Sequence, residues 1–192
     1  MGSIFDRNGA FATSSSRWLP DRVLSENPDS EGDGTDEPLK MKDEETLQTI
    51  KDLIQTLEDG KEGFHEAAEA SKDAEVAQVL QGYSDQRAEL SAQLQTIGAT
   101  YGEAAYEQDS TIAGAVHRGW IDLKAAVTSG SAHSVLAECE RGEDHAVAAF
   151  RDALEKDLPS NVRTVVEQQA ASVQAAHDRV KRLRDLAKAA HV

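Results

Sequence analysis

The chain is short of several things, and each shortage closes off a class of function. It has one cysteine, Cys139, in 192 residues, which rules out an internal disulfide and any cysteine-rich metal site. Cations are scarce: 20 Lys and Arg stand against 35 Asp and Glu, giving a formal charge of −15. A chain this acidic is repelled by nucleic-acid backbones and anionic membrane surfaces, so neither is expected as a partner. Aromatic residues make up only 5%, which suits close-packed helices rich in alanine. The N-terminus has no 18-residue apolar run and no basic stretch leading into an apolar core. Neither a membrane span nor a secretory signal is therefore expected, and the expected location is cytoplasmic. MGSIFD begins like a myristoylation signal but has Asp6 where Ser or Thr is required. No glycine-rich phosphate loop and no Ser/His/Asp arrangement stands out, and the favoured reading is non-enzymatic.

What is present is helical periodicity. Residues 1–42 read as an acidic, low-complexity tail with one apolar island, Trp18, Leu19, Val23 and Leu24. That island is either a segment folded back on the domain or a short motif for a protein partner or for self-association. Residues 43–190 read as a four-helix bundle. Leu47, Ile50, Leu53, Ile54, Leu57, Phe64 and Ala68 share one face of a helix over 43–70. Asp73 is a suitable N-cap for a second helix over 73–97, ended by Gly98, with Val76, Leu80, Tyr83, Leu90 and Leu94 on its stripe. Residues 98–131 are too many for a tight turn and hold a shorter crossover helix over 111–127, anchored by Trp120. Ser131 would cap a third long helix over 132–157, ended by Pro159, and Ser160 a fourth over 160–189. Short turn, long crossover and short turn make the connectivity of ferritin-like bundles.

The middle of that bundle carries the functional question. Leu136, Cys139, Ala146, Val147, Phe150 and Leu154 form the stripe of the third helix, and Glu143 falls inside it. A buried carboxylate must meet a metal, a cation or a proton. Laid in ferritin-like order, Lys61, Gln86, Arg87, Glu143 and Gln169 point inward near one level, with Ser172 beside them. This predicts a structural Arg–Glu–Gln polar layer, with Arg87 giving Glu143 two parallel hydrogen bonds. The alternative is a divalent metal, iron above all. A carboxylate dimetal site takes a Glu from each of two helices and Glu-x-x-His from each of the others. The sequence offers only parts of that set: Glu62 with His65, Glu140 with Glu143, and His177 preceded by Gln174 where a carboxylate is needed. His145 lies opposite the core stripe, and His117 flanks Trp120. A cationic cluster, Arg163, Arg179, Lys181, Arg182, Arg184 and Lys188, reads as dipole compensation and surface pairing on the last helix.

The runs AGAVHRGWIDLKAAV, LAECERGEDHAVAAFRDALEKDLPSNV and AAHDRVKRLRD carry a resemblance. Together, and most specifically through the His117–Trp120 and Glu138–Asp144 blocks, they resemble a bacterial ferritin-like four-helix-bundle family catalogued as a domain of unknown function. The resemblance spans about Glu44–Asp185. It implies a ferritin-like bundle of the kind found among bacterial stress-associated proteins, and it implies no activity. The resulting expectation is a stress-associated interaction or scaffolding module without a cofactor. Its rival is an iron-binding protein with an incomplete carboxylate and histidine site.

Overall fold

The computed structural model describes residues 36–102 and 131–190. They form four helices, α1 (Asp36–Ala70), α2 (Ala74–Gly98), α3 (Ala132–Leu154) and α4 (Ser160–Ala189), and contain no strand. The tail motif Trp18, Leu19, Val23 and Leu24, and the expected crossover helix with Trp120, lie outside the described residues. None of the described helices is long and apolar enough to cross a membrane.

Contacts at the helix ends fix the directions. The three-residue turn Ser71–Asp73 makes α1 and α2 antiparallel neighbours. Lys42 near the start of α1 meets Asp157 just past the end of α3 at 2.7 Å, and Lys156 Nζ donates to Thr49 Oγ1 at 3.1 Å. α1 and α3 are therefore antiparallel too. Tyr101, just past α2, donates to Asn161 at the start of α4 at 3.1 Å. So α2 ends, and α4 begins, at the pole where α3 finishes. The start of α3 lies at the other pole, and α2 and α3 run parallel. This is the short–long–short connectivity expected from the loop lengths.

The expected stripes are the core. Ile50, Leu53, Ile54, Leu57, Leu90, Leu94, Phe150, Val162, Val166 and Val173 pack as one buried cluster. Phe64, Ala67, Val76, Leu80, Val135, Leu136, Cys139 and Val180 form a second. At about 25 cal/mol per Å² of apolar surface removed from water, these two clusters supply the main driving force for assembly.

Helix boundaries depart from expectation where local chemistry differs from the pattern. α1 starts at Asp36, ahead of the expected Asp43, with Pro38 in its first turn. An N–H there has no intrahelical partner, so proline costs nothing. Asp73 caps α2 as expected, accepting from Glu75 N at 2.9 Å and Val76 N at 3.2 Å. α2 runs through Gly98 rather than stopping before it, because the cap residue Ala99 keeps right-handed helical angles. Ser131 holds the N-cap position of α3 without a side-chain hydrogen bond. At α4 the N-cap is Pro159, extended at φ −54° and ψ 146°, and Ser160 is the first helical residue. α3 ends at Leu154 instead of 157. Arg163 terminates it from the next helix, donating to the carbonyls of Leu154 (3.1 Å) and Lys156 (2.7 Å).

Candidate functional site

Between the two clusters lies a level built from charge. Arg87 on α2 is fully buried and Glu143 on α3 is 1% exposed. The arginine Nη2 donates to both carboxylate oxygens, at 2.8 Å and 2.6 Å. Its Nη1 donates to Gln86 Oε1 at 2.6 Å. The pairing predicted from the sequence therefore forms, with a different geometry. One nitrogen serves both oxygens, and Nε has no hydrogen-bond partner. The reason is the path of the side chain. Cγ, Cδ and Nε run over Gly60 of α1, so close that a Cβ added there would sit 3.6 Å from each. Nε is thus turned against α1 while the far end of the guanidinium reaches α3. Cζ also lies 5.6 Å from the centroid of Phe64, whose ring packs on Tyr83 with centroids 5.4 Å apart.

The electrostatics follow from this burial. Loss of water pushes the Glu143 carboxyl above its ordinary range, and the charge and hydrogen bonds of Arg87 pull it back part of the way. The nearby Cys139 thiol is pushed up strongly by burial and further by the Glu143 charge. A thiol held protonated in this way is a packing residue and not a nucleophile.

The other residues of the expected polar layer divide. Gln86 joins the pair. Lys61 does not: it is half-buried at the surface and pairs with Glu58 of its own helix. Ser91 donates to the other oxygen of Glu58 at 2.7 Å, and Ser84 to the Lys61 carbonyl at 2.9 Å. Gln169 is buried but sits within the first apolar cluster, donating to the Leu90 carbonyl at 3.0 Å and to Gln93 at 3.2 Å. On α4 it is His177, about two helical turns further along, that acts electrostatically on Glu143 and meets its neighbour Asp144. Ser172 only returns a hydrogen bond to the Gln168 carbonyl.

The candidate metal residues are not brought together. Glu62 and His65 are exposed on α1, with His65 Nδ1 3.2 Å from Gln81. Glu140 is buried against Arg184 of α4, with which it forms an ion pair. His177 is mostly buried, with Nε2 2.9 Å from Asp144 and Nδ1 3.1 Å from Asp178. Burial opposes its protonation, yet the hydrogen bonds to Asp178 and Asp144 outweigh this and hold it above its ordinary value. Among the described residues no three His, Cys, Asp or Glu side chains are placed to hold a metal ion. The donor set does not fit a dimetal centre, since the three buried carboxylates on α3, Glu138, Glu140 and Glu143, each face a guanidinium group.

Sequence reasoning missed Glu58, the Glu140–Arg184 pair and the Asp144–His177–Asp178 chain. Glu58 was legible as the i−3 partner of Lys61. The other two join α3 to α4 across more than 30 residues, and no local spacing announces them.

These features define a class: an antiparallel helical bundle whose mid-level is closed by an arginine–carboxylate pair. The chain belongs to the family described as a domain of unknown function, DUF2383, whose model matches residues 45–156. The matched stretch runs from Glu45, within α1, to just past the end of α3, holds both members of the buried pair, and stops before α4. No curated protein matches the chain.

Proposed function

We propose that this protein is a non-enzymatic, ferritin-like helical bundle acting as an interaction or scaffolding module. In keeping with the family it resembles, it is read as cytoplasmic and stress-associated. Its mid-bundle carboxylate serves structure. The observation that carries this reading is that both oxygens of Glu143 are engaged by Arg87, while Glu140 is engaged by Arg184. A divalent ion at this level would have to displace two guanidinium groups. Arg87 would then be left as a buried charge without a counter-ion, a state that typically costs about 3–5 kcal/mol.

The test is anaerobic loading of the full chain with ferrous iron, desalting, and metal analysis before and after oxygen is admitted. No stoichiometric iron is expected to remain, and no oxidation band is expected to develop. Two tightly held irons per chain that oxidise with oxygen would overturn the proposal in favour of a metal-binding protein.

A further inference from the structure

We propose that the cleft between the first half of α1 and the α3–α4 turn is a binding site for a free α-amino acid with an apolar side chain. The cleft has a volume of ≈430 Å³, within the range of about 300–1,000 Å³ typical of small-ligand sites. Thr46, Thr49 and Leu158 are its buried walls, and Glu45, Lys156 and Asp157 stand exposed at its rim. Several bonds fix these walls before any ligand arrives. Lys42 of α1 holds Asp157 at 2.7 Å, Lys156 donates to Thr49 Oγ1 at 3.1 Å, and Arg163 grips the Lys156 carbonyl at 2.7 Å. A site set in advance in this way lowers the ordering cost of binding.

One wall carries a hydroxyl without a partner. Thr46 is only 2% exposed, yet its side chain makes no hydrogen bond among the described residues. Thr49, Thr56, Thr96 and Thr164, the other threonines within the four helices, all return their hydroxyl to the carbonyl four residues back. Thr46 alone departs from that habit, and it lines the cleft. A buried polar group left without a partner costs stability, and a ligand that supplies the partner recovers it.

The uncommitted charges select the ligand. Asp157 is engaged by Lys42, which leaves one lining group of each sign. Lys156 uses only one of its donors, on Thr49, and has no carboxylate within ion-pair distance among the described residues. The Glu45 carboxylate has no partner among them either. Thr49 stands between the two, since its Oγ1 accepts from Lys156 and donates to the Glu45 carbonyl at 2.8 Å. A plain anion would meet Glu45 and Asp157, and a plain cation would meet Lys156. A zwitterion answers both. Its carboxylate takes Lys156 Nζ and the Thr46 hydroxyl, its ammonium takes Glu45, and its apolar side chain lies against Leu158 and the threonine methyls.

This site goes beyond the interaction-module reading, and iron retention does not bear on it. The probes are L-leucine, L-valine and L-methionine, titrated into the full chain and followed by isothermal calorimetry and by saturation-transfer NMR of the ligand methyls. Saturable binding of at least one of them is expected. It should weaken at least about tenfold in Lys156→Met, which deletes a charge-assisted bond, and several-fold in Thr46→Val and in Glu45→Gln, with helical circular dichroism unchanged. Thr46→Val keeps the shape of the wall and removes only the hydroxyl. Isocaproate, which is leucine without its ammonium, and isoamylamine, which lacks the carboxylate, should each bind far more weakly than leucine. Lys51→Gln, which removes an exposed cation elsewhere on α1, should leave binding intact. Absence of saturable binding by all three amino acids, unchanged binding in Lys156→Met and Thr46→Val, or isocaproate or isoamylamine binding as tightly as the amino acids would each overturn the proposal.

Discussion

The two levels of the core on either side of residue 90 use buried polar groups in opposite ways. Toward the α3–α4 turn, Gln169 is a neutral amide set among aliphatic side chains and tied to the Leu90 carbonyl. One level further along, Arg87 and Glu143 are full charges, buried as deeply and dependent on each other. A neutral group that loses its partner forfeits about 1–3 kcal/mol, whereas a buried charge that loses its counter-ion forfeits more. The lesson is that burial alone does not rank these side chains. What ranks them is the state in which each leaves its partner.

The largest effect is therefore expected from splitting the pair. Arg87→Met alone, or Glu143→Leu alone, should each lower the unfolding free energy by about 3–5 kcal/mol. The double substitution should recover much of that loss, since it leaves no orphan charge behind. Denaturant unfolding of the three variants in metal-free buffer gives the coupling energy, and strictly additive losses would show that the two side chains do not act as a pair.

Gln169→Leu should sit below this, within about 1.5 kcal/mol of the parent, because only neutral hydrogen bonds, to Leu90 and Gln93, are traded for apolar contact. Its Oε1 is buried without a partner, so the substitution also removes an unsatisfied acceptor. A loss as large as that of Arg87→Met would place Gln169 in the same cooperative unit as the pair and erase the distinction between the two levels.

The smallest effect belongs to the rim. His177 has its ordinary value of 6.5 raised in the folded state. Its contribution to stability is thus fully present below about pH 6.5 and fades as pH rises through the folded value. Compared with His177→Gln, the native chain should lose its advantage over that interval. The same titration, followed by the His177 ring signals, should move down in pH when Asp144 becomes Asn. An unchanged midpoint in Asp144→Asn would show that the link between α3 and α4 carries no charge coupling.

How much of this was readable in the sequence depends on the range of each interaction. The stripes were readable because burial repeats with the helix period: Ile50, Leu57, Phe64, Leu80, Leu94, Leu136, Phe150, Val166 and Val180 all fall where the pattern puts them. The Arg87–Glu143 pair was readable for the same reason, since a charge inside an apolar stripe needs a partner at its own height. Gln169 shows where that argument fails. Its face is given by the 3.6-residue period, but its height is set by how far α4 is shifted along its neighbours, and periodicity carries no information on that shift. The pairing geometry was hidden likewise, because Nε is turned away by a contact with Gly60 from a third helix. Arg163 was grouped with the later cations by charge, yet it closes the end of α3.

The directions of the helices also make the bundle a spacer. α1 begins at the pole where α3 ends, and α4 starts from that same pole to finish at the other. A 30-residue α4 spans about 45 Å at ~1.5 Å per residue. The first residue of α1 and the last of α4 therefore lie at opposite poles, separated by a nearly fixed length. Modules fused at those two points would be held apart rather than side by side, and ligands gripped at the two poles would be bridged and not brought into contact.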